Sequence, residues 1–315
     1  MSNNPTNQEK NKEPKQKAQT TVKTAVAKHC LTESIAVNII CGLLFLVFGY
    51  IAIMSIFQTC VIDPANYSSE VILFQDDLFV INIFCLVIFT ALLFKINKHT
   101  AFFAKVNMKF MEAGLFAFSA IIGLVWIFSV QSIPAADSYN IYETASQTAQ
   151  GNYAFLHNGS DFYNKDFYGG FSYYNCYPFQ LGFVLISEIV YRIFGTDSTM
   201  PIQVINVLCV AAAYIGIAKI TKQIFGRNKI EFIVILALAG CIQPVLFCTF
   251  VYGNIIGMCC AIWASHFLIK YFQTDKYLVL IPCGVLLVVS ALAKYNNLIY
   301  LVAFVIMLII HTVKA

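Results

Sequence analysis

Apolar runs close to the thickness of a bilayer constrain this chain more than any other feature. Eight occur, at 34–57, 78–94, 113–130, 202–218, 232–250, 254–269, 277–293 and 298–310. A helix needs ~20 mostly apolar residues to cross the hydrocarbon core. In lipid it must also satisfy its backbone internally. The pattern predicts an all-α polytopic membrane protein with about eight transmembrane helices. Composition agrees: 59% of residues are hydrophobic and 11% charged, where soluble domains carry ~25% charged residues. An ordinary soluble enzyme and a disordered chain are both excluded. A net charge of +4 is too small to suggest nucleic acid. Most of the eleven cysteines lie inside apolar runs, with no zinc-like spacing, and read as small hydrophobes. Nothing in the spacing supports a disulfide between Cys60 and Cys176.

Charge orients the spans. Residues 1–33 form a polar tail rich in lysine, read as disordered and cytoplasmic. The first connection carries Asp63, Glu70, Asp76 and Asp77, and the second carries Lys95, Lys98, Lys105 and Lys109. By the positive-inside rule the first is external and the second internal. Residues 34–112 then hold two N-terminal spans and a basic cytoplasmic loop. The long segment 132–200 is external. Lys219, Lys222, Arg227 and Lys229, then Lys270 and Lys276, mark two further internal turns. This places the ambiguous apolar segment 177–195, with Glu188 and Arg192, as an amphipathic helix at the outer interface. If it crossed, the next basic turn would be external.

The spans hold almost no charge, His266 and Lys294 excepted. Polar residues gather in the external loop, where Asp137, Glu143, Asp161, Lys165 and Asp166 stand among many tyrosines and phenylalanines. A loop this long is rarely passive. Aromatic rings anchor at headgroup depth; they also stack on sugar faces beside carboxylates that accept hydroxyl hydrogen bonds. Asp137 follows the helix-ending Pro134 and opens a helix over 139–150 closed by Gly151. It reads either as a helix N-cap or as a general base at the membrane surface.

Several runs resemble a known family. Pro134-Ala-Ala-Asp137-Ser-Tyr-Asn-Ile-Tyr142, with Gly151-Asn-Tyr153, resembles the first external loop of bacterial GT-C membrane glycosyltransferases. The resemblance is to glycosyltransferase family 39 and the protein O-mannosyltransferases. Tyr174-Asn-Cys-Tyr177-Pro178-Phe-Gln180-Leu-Gly182 resembles the second half of that loop. Phe250-Val-Tyr252-Gly253-Asn254 and Ala293-Lys294-Tyr-Asn296-Asn297 resemble later external turns. The resemblance implies a GT-C-like helical core over 113–315, with interfacial helices in its external loop 132–200.

It also implies a chemistry. A sugar would move from a polyprenyl-phosphate donor to an acceptor hydroxyl at the outer face of a bacterial plasma membrane, with inversion. Asp137 would be the base. Lys165 or Lys294 would meet the leaving phosphate, and Tyr174, Tyr177, Gln180, Tyr252 and Asn254 would line the substrate site. The acceptor stays open among cell-envelope glycan, glycolipid and protein. Two departures stand out. Relatives often carry a second acidic residue where this chain has Tyr252-Gly253-Asn254, so a divalent metal is not indicated there and metal dependence stays open. Relatives are also longer, which reads as a truncated or split member. The alternatives are a flippase or permease for a lipid-linked saccharide, or an inactive truncated homologue.

Overall fold

A computed structural model describes residues 35, 37–62, 72–98, 106–130, 132–154, 156, 173–196 and 198–314. The chain divides into two units, Met1–Ala91 and Leu92–Ala315.

The first unit holds helix α1 (Val37–Phe57), strands β1 (Gln58–Ile62) and β2 (Ile72–Asp76), and the start of α2 (Phe79–Lys98). Along α1 the apolar side chains stay exposed on all faces, as expected of a span in lipid. The strands pair antiparallel from Gln58 with Asp76 to Ile62 with Ile72. This hairpin departs from an all-helical expectation. It satisfies the backbone where the chain turns between two spans. Asp77 closes it, accepting from Thr59 at 2.9 Å, Asn82 at 3.1 Å and the Leu78 N–H at 2.7 Å. These donors, Asn82 foremost, hold its carboxyl below the usual range.

The second unit is a helical bundle. Helix α3 (Met108–Ser129) is followed by α4 (Ala136–Ala149), a single turn Tyr173–Cys176, and α5 (Leu181–Phe194). Then come α6 (Met200–Phe225), α7 (Asn228–Gly240), α8 (Asn254–Thr274), α9 (Leu280–Ala293) and α10 (Leu298–Lys314). Helix α6 is central, packed by α3, α7 and α8, and α8 in turn packs on α9. Leu115, Ile127, Val207, Val210 and Ile235 fill the α3–α6–α7 contact, and Ala264, Leu268, Cys283 and Leu287 the α8–α9 contact. Helices α4 and α5 pair with each other, and α5 rests on α9.

Among the described residues, six helices are long and apolar enough to cross a membrane. Helix α7 and Gln243–Thr249, bent by 42° at their break, make a seventh if the pair is counted as one span, and otherwise a re-entrant segment. The run 232–250 is therefore broken rather than straight. Pro244 follows the break, where proline supplies no backbone donor. The run 277–293 forms a 3-10 turn, Tyr277–Val279, and the 14-residue α9, shorter than a full crossing. Helix α5 is also 14 residues long, about 21 Å against a core of ~30 Å. It is too short to span, in keeping with the interfacial placement. The protein is an integral membrane protein, helical in architecture.

Candidate active site

The N-terminus of α4 sets the first side chain. Its N-cap is Ala135, not Asp137. Ser138 Oγ caps the turn, donating to the Ala135 carbonyl at 2.7 Å and accepting from its N–H at 3.1 Å. The carboxylate of Asp137 is thus not consumed by capping. It sits in the first helical turn, where the dipole favours a negative charge. Before it, Ala136 takes a left-handed conformation, φ +49°, which costs a non-glycine residue about 1–2 kcal/mol. Asp137 follows a strained corner.

Three distant segments converge on this carboxylate. Tyr252, in the turn ahead of α8, points its hydroxyl at Asp137 Oδ2 at 3.5 Å, the outer limit of a hydrogen bond. The same hydroxyl accepts from Gln180 Nε2. The charge of Asp137 is also felt at the Tyr173 phenol. Burial, aided by that carboxylate, pushes the Tyr173 phenol far above its usual value, and burial does the same to Tyr174. Both stay protonated donors. Lys294, the C-cap of α9, places Nζ 4.0 Å from the centre of the Tyr252 ring, a cation–π contact. Burial lowers its ammonium pKa, and Asp137 partly opposes that shift.

Close backbone contacts hold these pieces in place. A Cβ on Gly253 would lie 1.7 Å from the Ala293 carbonyl oxygen, and one on Gly182 2.4 Å from that of Leu292. Only glycine lets the Tyr252 turn and the start of α5 both abut the end of α9. Asn297 Nδ2 reaches back to Ser290 Oγ at 3.0 Å, and Ser290 Oγ donates to the Gly257 carbonyl at 2.8 Å. From α6, Asn206 Nδ2 donates to the Cys248 and Phe250 carbonyls at 3.2 and 3.1 Å, and Gln203 to Thr249 at 3.3 Å.

An aromatic row borders the site. Tyr174, Tyr173, Tyr177, Phe179 and Tyr295 follow one another at centroid spacings of 5.0, 5.0, 6.0 and 6.1 Å. The Tyr174 hydroxyl donates to the Asn140 carbonyl at 3.2 Å.

Of the residues singled out by sequence, Asp137, Tyr174, Tyr177, Gln180, Tyr252 and Lys294 come together here. Asn254 does not: it is exposed at the start of α8 and lines a separate cavity of about 570 Å³ with Gln243, Leu246, Phe247 and Met258. Lys165 lies outside the described residues. Tyr173, buried to 1% exposure, lies within the electrostatic reach of Asp137 and was not singled out by sequence. Gln203 and Asn206 were also passed over. Their signal was available: two amides three residues apart in an apolar span need partners in lipid. Among the described residues, no three His, Cys, Asp or Glu side chains group as metal ligands.

Residues 181–315 match the family described as dolichyl-phosphate-mannose-protein mannosyltransferase. The match takes in Tyr252, Asn254 and Lys294, and begins just after Gln180. No curated protein and no solved structure matches the chain.

Proposed function

We propose, from the match of residues 181–315 to the family described as dolichyl-phosphate-mannose-protein mannosyltransferase, that this membrane protein is a glycosyltransferase family 39-like enzyme that transfers a sugar, mannose by the family's description, from a polyprenyl-phosphate donor to an acceptor hydroxyl. One observation carries the reading: Asp137 and Lys294 flank the single Tyr252 side chain. A carboxylate and a desolvated ammonium held that close match the two ends of such a transfer.

Asp137 takes the proton of the acceptor hydroxyl as its oxygen attacks the anomeric carbon. The new oxygen–carbon bond forms on the face opposite the phosphate. The bond from the anomeric carbon to the phosphate oxygen breaks, and its electron pair leaves with the polyprenyl phosphate. The sugar is inverted. Lys294 offsets the charge that grows on that phosphate; a lysine suits it as a compact point charge. Tyr173 and Tyr252 orient the carboxylate, and the aromatic row with Tyr177 offers stacking faces to the sugar. The apolar cavity beside Asn254 suits prenyl units of the donor.

Charge supports an external site. The site gathers at the N-terminal ends of α6 and α8 and the C-terminal end of α9. Lys219, Lys222, Arg227, Lys229 and Lys270 lie toward the opposite ends of α6 and α8. Helix α6 has 26 residues and spans about 39 Å, so the two sets face opposite sides of the bilayer. By the positive-inside rule this charge distribution supports a cytoplasmic basic end, with Asp137 on the outer side.

The test is transfer from a polyprenyl phosphomannose by purified wild type and Asp137→Asn. The expected result is at least a 100-fold loss of turnover with donor binding retained. Equal turnover in the two proteins would refute the base assignment. Donor translocation without any transfer product would favour a carrier.

A further inference from the structure

Helix α4, which packs beside α5, carries a buried amide that no described residue satisfies. The two helices run side by side in the same direction. At their N-terminal ends Asp137 and Gln180 share Tyr252. At their C-terminal ends Arg192 Nη2 donates to the Thr148 carbonyl at 3.0 Å. Asn140, one turn beyond Asp137 on α4, is buried at 2% exposure. Its backbone carbonyl accepts from Tyr174. Its side-chain Nδ2 and Oδ1 both lack a hydrogen-bond partner among the described residues. On α5, Ser187 Oγ is likewise buried without a partner among them.

An unsatisfied buried amide costs about 1–3 kcal/mol per group, and native proteins hold few of them. Asn140 is three residues after Asp137, so both occupy one face of α4. It lies about 4.5 Å further along the axis, roughly the reach of one pyranose ring. A carboxamide presents a donor and an acceptor side by side, which matches a hydroxyl-bearing ring and does not match a prenyl chain or a phosphate.

We infer that Asn140 is a sugar-reading residue: its carboxamide hydrogen bonds a ring hydroxyl of the saccharide whose reacting end is held at Asp137. The assignment rests on the transferase reading above. It adds that the Asp137–Asn140 face of α4 selects the sugar, while Lys294 and the membrane hold the lipid phosphate. A ligand reaching this face of α4 displaces packing around Tyr174 and supplies the partner that no described residue offers.

Binding measures this without turnover. Wild type, Asn140→Leu and Asn140→Asp are titrated with a short-chain polyprenyl phosphomannose and with the same polyprenyl phosphate lacking sugar, and thermal midpoints are taken without ligand. Wild type is expected to bind the phosphomannose at least tenfold more tightly than the bare phosphate. Asn140→Leu is expected to lose that preference, bind bare phosphate unchanged, and melt at or above the wild-type midpoint, since it removes a buried polar group that had no partner. Asn140→Asp retains an acceptor and should recover part of the preference. A preference intact in Asn140→Leu overturns the inference and leaves the transferase reading standing. A lowered ligand-free midpoint in that variant, with the preference kept, assigns the amide to a buried water or to packing. Absence of any preference in wild type overturns both the inference and the donor assignment.

Discussion

Gly253→Ala probes the assembly of the site through one methyl group. Gly253 has φ −71° and ψ 0°, a conformation that alanine adopts freely, so the substitution acts by contact alone. The added Cβ would fall 1.7 Å from the Ala293 carbonyl oxygen and 2.5 Å from its carbon, where ordinary contact begins at 3.4 Å. Both opposing atoms are backbone at the end of α9, so no side-chain rotation relieves them. The turn must retreat from α9 by roughly 1.7 Å, taking the Tyr252 hydroxyl away from Asp137 and its ring away from Lys294. Misplacement on the order of 1 Å costs about 100-fold in rate, and overpacking of this kind about 1–3 kcal/mol of stability. The assay is sugar transfer in detergent, with the thermal midpoint read on the same preparation. Turnover is expected to fall about 100-fold or more in a protein that still folds. Gly182→Ala, with its 2.4 Å approach to the Leu292 carbonyl, needs a smaller retreat and should lose less, about tenfold. Gly253→Ala protein with turnover within about threefold of wild type would refute the idea that this backbone contact sets the site.

Three further outcomes follow from the same site. Lys294→Met keeps the aliphatic stem and removes the charge; donor affinity should weaken roughly 10- to 150-fold, the equivalent of about 1.5–3 kcal/mol for a hydrogen bond to a charged group. Because burial lowers the Lys294 pKa, its cation is lost as pH rises, before the ~10.4 of a free lysine. The alkaline limb of kcat/KM for the donor should therefore fall below that value and disappear in Lys294→Arg. Ala136→Gly relieves the left-handed residue at φ +49° and should raise the thermal midpoint by the equivalent of about 0.5–1 kcal/mol, with turnover retained; a lower midpoint would mean that the corner is not strained.

Much of this arrangement was legible because each participant ends a helix. Pro134 placed Asp137 just beyond a span, and the charge pattern put Tyr252 and Lys294 at helix ends on that same side. A sequence separation of 115 residues between Asp137 and Tyr252 is no obstacle when bundle topology brings those ends together. Side-chain direction was harder to read. Tyr252 and Asn254 are two residues apart, yet the first faces Asp137 and the second a separate cavity, because α8 begins between them. The N-cap reading of Asp137 failed for a local reason: Ser138 reaches the Ala135 backbone first. The break in 232–250 was signalled by Pro244 but hidden by the continuous hydrophobicity around it. Strands β1 and β2 were illegible because five-residue segments next to long apolar helices carry little periodic signal.

The base assignment at Asp137 is tested most directly by mass spectrometry of lipids that co-purify with the detergent-extracted protein, wild type beside Asp137→Asn. The account predicts a polyprenyl-phosphate monosaccharide enriched in the variant, since the donor still binds at Lys294 and can no longer be consumed. Its mass would identify the sugar class. An equal absence of such a lipid from both proteins would contradict the donor assignment.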